Sequence, residues 1–187
     1  MRSRRPEALG IADVRLKPHA TAVDYVWSGL RLNHPVGRNV YTVRMELFQI
    51  DDDGRLFISA AIQRWNPLAS RGVDVVIDLE GGLDLCIPTQ SNHCLYLYFP
   101  FEDDDRELPS LTKLQAIAQL GASLIRDSHR VLVHCYTGFN RSALMAGLIL
   151  TEMGMPGVVA LARIRERRPG ALFNEMFAEF LARQNPD

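Results

Sequence analysis

The residues best suited to chemistry lie within one short segment, residues 131–142. Cys135 is followed six positions later by Arg141, with His134 directly before the cysteine and Ser142 directly after the arginine. A thiolate is a strong nucleophile, and a guanidinium holds two phosphate oxygens through a planar pair of N–H groups that lysine lacks. This pattern predicts attack by Cys135 on a phosphorus atom whose oxygens Arg141 binds.

The segment between these two residues is predicted to be a phosphate-binding loop. A strand-like run precedes Cys135 and a helical run follows Arg141, so the N–H groups of the loop point inward and the helix dipole adds positive potential. The predicted substrate-binding residues are Arg141 itself and the five loop residues Tyr136, Thr137, Gly138, Phe139 and Asn140. The same positive potential stabilises a thiolate on Cys135.

The implied reaction is transfer of a phosphoryl group to Cys135, followed by hydrolysis of the thiophosphate. Ser142 is predicted to donate its hydroxyl to the sulfur and to help it leave in the second step. His134 is predicted to orient the loop rather than to act as the base. Because His134, Gly138 and Ser142 accompany the cysteine–arginine spacing, a chance match has a frequency below about one in ten thousand.

A general acid is needed elsewhere, because an ester oxygen of high pKa leaves readily only when it is protonated. Four consecutive carboxylates, residues 102–105, follow one strand-like run and precede a predicted helix. A second acidic triplet, residues 51–53, precedes Gly54 and is typical of a turn. Ligand sites in α/β sheets lie at the carboxyl ends of strands, which favours residues 103–105 as the source of the acid.

The elements that must position these residues alternate between strands and helices. Strands are predicted at 40–50, 55–59, 73–79, 94–99 and 130–133, the first two as a hairpin. One helix is predicted to open at Pro109, with apolar residues at Leu111, Leu114, Ile117, Leu120 and Leu124. Further helices are predicted at 141–153, 156–168 and 174–183. We predict a single α/β domain with a central, mostly parallel sheet flanked by helices.

Composition and charge narrow the class of protein further. The 187 residues suffice for one domain, and 21 Lys+Arg against 22 Asp+Glu leave a net charge of −1. This balance favours neither nucleic acid nor an anionic membrane as a partner. No apolar run approaches about 18 residues, so no membrane span is expected. An odd number of cysteines and the lack of a secretory signal predict a cytoplasmic protein.

The predicted domain organisation follows from the position in the sequence at which hydrophobic periodicity begins. Residues 1–38 carry scattered prolines and arginines with little periodicity, and are predicted to be an extension packed on the domain. The catalytic domain is predicted to span residues 39–187.

Three groups of residues outside the loop leave alternatives open. Cys86 and Cys94 are either resolving thiols for Cys135 or small buried hydrophobic residues, and they are not a zinc pair. The histidines outside the loop have no metal-ligand spacing, so no metal site is predicted: His19, His34, His93 and His129. The arginine cluster is either a second anion contact or a solvated helix face paired with Glu166, and consists of Arg163, Arg165, Arg167 and Arg168.

The run HCYTGFNRS resembles the H-C-x-x-G-x-x-R-S/T signature of the cysteine-based protein tyrosine phosphatases, in their small dual-specificity branch. The resemblance extends over residues 52–182. It implies hydrolysis of phosphate monoesters on tyrosine, and also on serine and threonine, in a phosphorylated protein or another monoester, without a metal or an organic cofactor. In that family the general acid lies about thirty residues before the cysteine. Asp103 lies 32 residues before it (135 − 103), and Asp105 lies 30 (135 − 105). The run FPFED ending at Asp103 is similar to the P-F-E-D of the phosphatase-and-tensin-homologue enzymes, so Asp103 is preferred and Asp105 is second.

Two other functions remain open. The run Gly138-Phe139-Asn140-Arg141 resembles the G-F/L-N-R of the RNA 5′-triphosphatase branch, which implies an RNA or polyphosphate phosphatase that works without the aspartate. Nucleic acid would be a partner only in that case. A catalytically silent phosphate-binding module is the third possibility, and the complete set of Cys135, Arg141 and Asp103 opposes it.

Overall fold

The structure is a computed structural model, and it describes residues 45–185. The predicted N-terminal extension, residues 1–38, lies outside the described residues, as does the first part of the strand predicted at 40–50. The boundary proposed at residue 39 therefore stays a prediction.

A five-stranded sheet forms the centre of the domain, in the order β1-β2-β5-β3-β4. The strands are β1 (Phe48–Gln49), β2 (Leu56–Ser59), β3 (Val75–Asp78), β4 (Leu95–Tyr98) and β5 (Val131–His134). Only β1 is antiparallel to its neighbour, and the other three pairs are parallel. The predicted fold class and the predicted hairpin are thus confirmed. The acidic residues 51–53 lie in the connection of that hairpin, where the Asp51 carboxylate accepts hydrogen bonds from the N–H groups of Arg55 and Leu56, each at 2.9 Å.

Helices cover both faces of the sheet, as a parallel sheet requires. They are α1 (Asn66–Ser70), α2 (Leu111–Arg126), α3 (Arg141–Glu152), α4 (Gly157–Arg167) and α5 (Glu175–Ala182). Helix α3 is the central one, since ten consecutive residues from Ser142 to Thr151 are buried. It packs against α2, α4, α5 and the strands β2 and β5, so the helix that follows the cysteine loop is held on all sides.

The predicted helix at Pro109 differs in detail. Ser110 is its N-terminal cap and α2 begins at Leu111, so the proline precedes the helix rather than opening it. Leu114 and Ile117 are buried, whereas Leu111 and Leu120 are exposed. The buried stripe continues through small residues, Ala118, Gly121 and Ala122. The helix turns by 100° per residue, which carries Leu120 away from that face.

The carboxyl ends of the strands bring polar residues to one level of the sheet. His134 at the end of β5 lies in register with Ser59 of β2 on one side and with Asp78 of β3 on the other. Ser59, Asp78 and His134 are all fully buried. The cysteine loop begins directly after His134, so this edge of the sheet is where the predicted site lies. Within residues 45–185, no helix is both long and apolar enough to cross a membrane.

Candidate active site

Cys135 directly follows β5 and lies at the base of a loop that ends where α3 begins. The residue is only 2% exposed. Its Sγ accepts a hydrogen bond from the N–H of Gly138 at 3.3 Å and lies 3.4 Å from the Ser142 hydroxyl. The structure therefore brings together three residues that the sequence predicted for the site. A backbone N–H and a hydroxyl therefore both lie within hydrogen-bond distance of the sulfur.

The turn at Gly138 determines the shape of the loop. Gly138 has a φ of +72°, and a Cβ built there would lie 2.6 Å from the backbone of Ser59. Side chains both avoid this backbone conformation and need space that β2 occupies. Only glycine fits at this position without moving the loop.

Gly138→Ala is therefore expected to lower the free energy of unfolding by about 2–4 kcal/mol, from left-handed strain and a backbone clash together. It should also weaken binding of inorganic phosphate. Gly154→Ala is the matched control, because Gly154 has a φ of +98° but no atom within 4 Å of its added Cβ. Urea unfolding and phosphate titration of both variants measure the difference. Equal losses in the two variants would contradict the role of the Ser59 contact.

Arg141 is held by the two loops that follow β3 and β4. Its Nη1 donates to the carbonyl oxygen of Leu79 at 3.0 Å and to that of Phe101 at 2.9 Å. Its Nε is buried and has no hydrogen-bond partner among residues 45–185. A buried donor without a partner is costly in a folded protein. An oxyanion above the cysteine loop would supply that partner.

Among the three aspartates at 103–105, Asp103 is the one whose side chain is hydrogen-bonded to the cysteine loop. Its Oδ2 accepts a hydrogen bond from the Asn140 amide at 2.9 Å, and its Oδ1 accepts one from the Asn174 amide at 3.0 Å. Asn174 also donates its backbone N–H to Asn140 Oδ1 at 3.1 Å and accepts from Phe177 N–H, as the N-terminal cap of α5. Sequence reasoning missed Asn174. Asn174 is the first residue of the helix predicted at 174–183, and an asparagine at that position was the available signal for a cap.

The other two aspartates are placed differently. Asp104 forms an ion pair with Arg106 at 2.8 Å, and this hydrogen-bonded pair lowers the pKa of Asp104 to about 2. Asp105 has a side chain that is 85% exposed, and its ion-pair contact within the described residues is Arg106 at 4.0 Å. Asp104 is therefore ionised at neutral pH, and Asp105 faces solvent.

His134 is fully buried below the loop. Its Nε2 lies 2.9 Å from Asp84 Oδ2 and 3.5 Å from Asp78 Oδ1. The Tyr96 hydroxyl contacts both carboxylates, and burial raises the pKa of this phenol, which stays protonated at neutral pH. His134 therefore lies among polar groups beneath the loop, and its orienting role stays a prediction.

The rim of the loop is aromatic and contains one arginine from the predicted cluster. Tyr136 is 63% exposed. Arg168 lies between the rings of Phe48 and Phe139, with its guanidinium carbon 3.9 and 4.0 Å from their centroids. It also donates to the carbonyl oxygens of Gly138 and Thr137 at 3.4 and 3.5 Å.

The remaining arginines of the cluster point to other partners. Arg163 and Arg167 both pair with Asp52, and Arg163 is also 3.9 Å from Glu166. These contacts lower the pKa of Asp52. Arg165 donates to the carbonyl oxygen of Leu172 at 2.9 Å. Only Arg168 of the cluster contacts the cysteine loop, so the cluster does not act as one anion site.

The two other cysteines lie away from Cys135. Cys94 precedes β4, at the amino end of a strand whose last residue is level with His134. A strand of this length spans about 13 Å, whereas a disulfide needs Cα atoms within about 7 Å. Cys94 cannot bridge to Cys135 in this fold. Cys86 lines the same cavity as Cys94 and is exposed, so the alternative of a small buried hydrophobic residue is wrong for Cys86.

The comparisons with known proteins agree with this geometry. Residues 57–185 match the family model described as dual specificity phosphatase, catalytic domain. Among curated proteins, no sequence matches the chain.

Solved structures with the same fold include a mouse putative dual specificity phosphatase, with a TM-score of 0.62 and 22% identity over 82% of this chain and 89% of that one. Human DUSP28 has a TM-score of 0.61 and 23% identity over 72% of this chain and 89% of its own. A human tyrosine phosphatase-like serine/threonine/tyrosine-interacting protein has a TM-score of 0.60 and 23% identity, covering 74% and 94%.

The family match covers more than two thirds of the chain, and it coincides with the elements that carry the cysteine loop, Arg141 and the acidic loop. The resemblance seen in the sequence is thereby confirmed. The chain belongs to the dual specificity phosphatase family and is a cysteine-dependent protein phosphatase.

Proposed function

We propose that this phosphatase hydrolyses phosphotyrosine, and also phosphoserine and phosphothreonine, in proteins through a cysteinyl-phosphate intermediate on Cys135. The observation that carries the proposal is the arrangement of Arg141. Carbonyl oxygens anchor its Nη1, while its buried Nε has no partner within residues 45–185, beside a loop that wraps Cys135. This arrangement suits a bound dianion that the guanidinium contacts through its remaining N–H groups.

In the first step the Cys135 thiolate attacks phosphorus as the ester P–O bond breaks. The N–H groups of the loop and Arg141 stabilise the charge on the equatorial oxygens. The leaving oxygen takes a proton from Asp103. The products are the dephosphorylated hydroxyl and a phosphate covalently bound to sulfur.

In the second step water attacks the phosphorus and transfers its proton to the Asp103 carboxylate, while the S–P bond breaks. The thiolate that leaves accepts hydrogen bonds from Ser142 and from the N–H of Gly138, whose heavy atoms lie 3.4 and 3.3 Å from Sγ. Inorganic phosphate is released. The proton balance restores both Cys135 and Asp103 to their starting forms.

The contacts of Asn140 and Asn174 support Asp103 rather than Asp105 as the acid. Both amides hold the Asp103 carboxyl against the edge of the loop, whereas the Asp105 side chain has no such support among the described residues. A general acid must sit within reach of the leaving oxygen, so a positioned carboxyl is favoured over a solvent-facing one.

Two observations oppose the RNA 5′-triphosphatase alternative. Asn140 belongs to the run that resembles that branch, and its amide donates a hydrogen bond to Asp103. The cysteine loop and the proposed acid therefore belong to one hydrogen-bond network. The cleft beside them is also strongly acidic. One cation, Arg106, lines this cleft. Five carboxylates also line it, those of Glu102, Asp103, Asp104, Asp105 and Glu175. Such a cleft repels the backbone of RNA and the phosphates of an inositol polyphosphate.

A substrate panel tests the proposal. Phosphotyrosine and phosphoserine peptides, phosphoinositides and triphosphate-ended RNA are compared at equal concentration, with phosphate release as the measurement and Cys135→Ser as the blank. The phosphotyrosine peptide is expected to have the highest kcat/KM. A higher value for triphosphate-ended RNA would overturn the proposal, and no Cys135-dependent release from any substrate would favour the silent module.

A further inference from the structure

Three side chains able to bind a metal converge beneath the cysteine loop. Asp78 ends β3 and His134 ends β5, and the two are register partners on neighbouring parallel strands. Asp84 comes from the connection after β3. One ligand atom from each of the three residues lies within 4.8 Å of the other two. The sequence did not predict this cluster, because its members are spread over 57 positions (134 − 78 + 1).

The histidine of this cluster is buried without a satisfactory partner. The side chains of Asp78 and His134 are fully buried, and that of Asp84 is 7% exposed. Although Nε2 lies 2.9 Å from Asp84, neither ring nitrogen makes an aligned hydrogen bond within residues 45–185. The imidazole nitrogen therefore lies beside two carboxylates without a hydrogen bond of good geometry, and it remains able to bind another partner.

The hydrogen bonds around the carboxylates also leave the cluster short of positive charge. The Tyr96 hydroxyl lies 2.5 Å from Asp78 Oδ2 and 2.9 Å from Asp84 Oδ2, yet a phenol has one proton to donate. Glu80 N–H donates to Asp78 Oδ1 at 2.8 Å. Within the described chain, the ion-pair partner of both carboxylates is His134. Two buried carboxylates require compensation, and a dication supplies it.

We propose that Asp78, Asp84 and His134 form a binding site for a divalent zinc ion. A nitrogen from imidazole and two carboxylate oxygens are ligands that suit zinc, and water completes a tetrahedron. With bonds of about 2.1 Å, tetrahedral ligands lie about 3.4 Å apart. The 3.5 Å separation of His134 and Asp78 meets this, and the 2.9 Å separation of His134 and Asp84 has to widen by about 0.5 Å.

The site supports the loop and does not take part in the reaction. The sulfur of Cys135 contacts Gly138 and Ser142, not these ligands. His134 directly precedes Cys135, so a bound ion would restrain the base of the loop. The proposal is independent of the proposed substrate, because its readouts are metal binding and thermal stability.

The experiment uses the full chain with all three cysteines replaced, Cys86→Ser, Cys94→Ser and Cys135→Ser, which removes thiolates as competing zinc ligands. Zinc chloride and magnesium chloride are titrated by calorimetry, and thermal unfolding is followed with zinc and with EDTA. Zinc is expected to bind and to raise Tm. Magnesium is expected to do neither, because it disfavours imidazole.

Adding Asp84→Asn to this variant is expected to weaken zinc binding at least tenfold and to remove the rise in Tm. The matched control is Asp74→Asn, which removes a half-exposed carboxylate 2.7 Å from His129 and should leave zinc binding unchanged. Zinc binding that is absent from the cysteine-free chain, or unchanged by Asp84→Asn, overturns the proposal.

X-ray absorption at the zinc edge keeps the test decisive if Asp84→Asn fails to fold. The cysteine-free chain carries five histidines, of which the site uses one. One imidazole with oxygen ligands is the expected shell. Two or more imidazoles would place the ion elsewhere and overturn the proposal.

Discussion

Cys135→Ser is expected to abolish turnover while phosphate and tungstate still bind. The hydroxyl of serine is a far weaker nucleophile than a thiolate, and loss of the nucleophile typically costs roughly 10⁴-fold or more in kcat. The loop N–H groups and Arg141 remain, so the anion site persists. Steady-state hydrolysis of a phosphotyrosine peptide and calorimetric titration with tungstate measure the two properties. Hydrolysis by Cys135→Ser at an appreciable rate would refute the thiolate mechanism.

Arg141→Lys is the partner experiment, and it is expected both to abolish turnover and to weaken anion binding. An ammonium cannot keep the carbonyls of Leu79 and Phe101 and also present further N–H groups to an anion. Loss of charge-assisted hydrogen bonds should weaken tungstate binding about 10–100-fold. Undiminished tungstate affinity in Arg141→Lys would show that the loop N–H groups alone bind the anion.

Asp103→Asn is expected to lower the rate on an alkyl or tyrosyl phosphate by roughly 10²–10⁴-fold. An amide cannot donate a proton to the leaving oxygen, although it keeps the shape of the carboxyl. The loss should shrink as the leaving group becomes more acidic, because less proton donation is then needed. Rates on a series of aryl phosphates of decreasing leaving-group pKa measure this dependence.

Asp105→Asn is the matched control two residues away, since it removes the same charge from a side chain that is 85% exposed. It should change the rate little on every ester. If Asp105→Asn is the damaging change, the acid is misassigned and the two-step mechanism stands. If neither variant matters and triphosphate-ended RNA is the fastest substrate, the monoester proposal fails.

The resemblance in the sequence was informative because the cysteine loop is contiguous. Cys135, Gly138, Arg141 and Ser142 lie within eight positions (142 − 135 + 1), and a strand and a helix flank them directly. Backbone geometry over so short a span depends on local conformation, which glycine and the flanking periodicities determine. The central strands β2, β3 and β5 were also predictable, since every residue in them is buried and strands buried on both faces leave near-continuous apolar runs.

Identification of the general acid depended on contacts between residues that lie far apart in the sequence. Proximity to the cysteine in the chain offered both Asp103 and Asp105. Asp103 differs through its bonds to Asn140, 37 positions away, and to Asn174, 71 positions away. Neither partner has a local pattern that points to an aspartate, because such pairs exist only after α5 packs against α3. The exposed Leu120 illustrates the same limit, since the face that α2 buries depends on its neighbours.

The sequence by itself determined the fold class, the cysteine loop and the family, because strand and helix periodicities and the loop motif are local properties of the chain. Tertiary structure alone decided which aspartate contacts the loop, that Arg168 separates from the other arginines, and that Asp84 meets His134 beneath Cys135. The physical reason is strand register. A shift of one residue between β3 and β5 would send Asp78 to the opposite face of the sheet and separate it from His134.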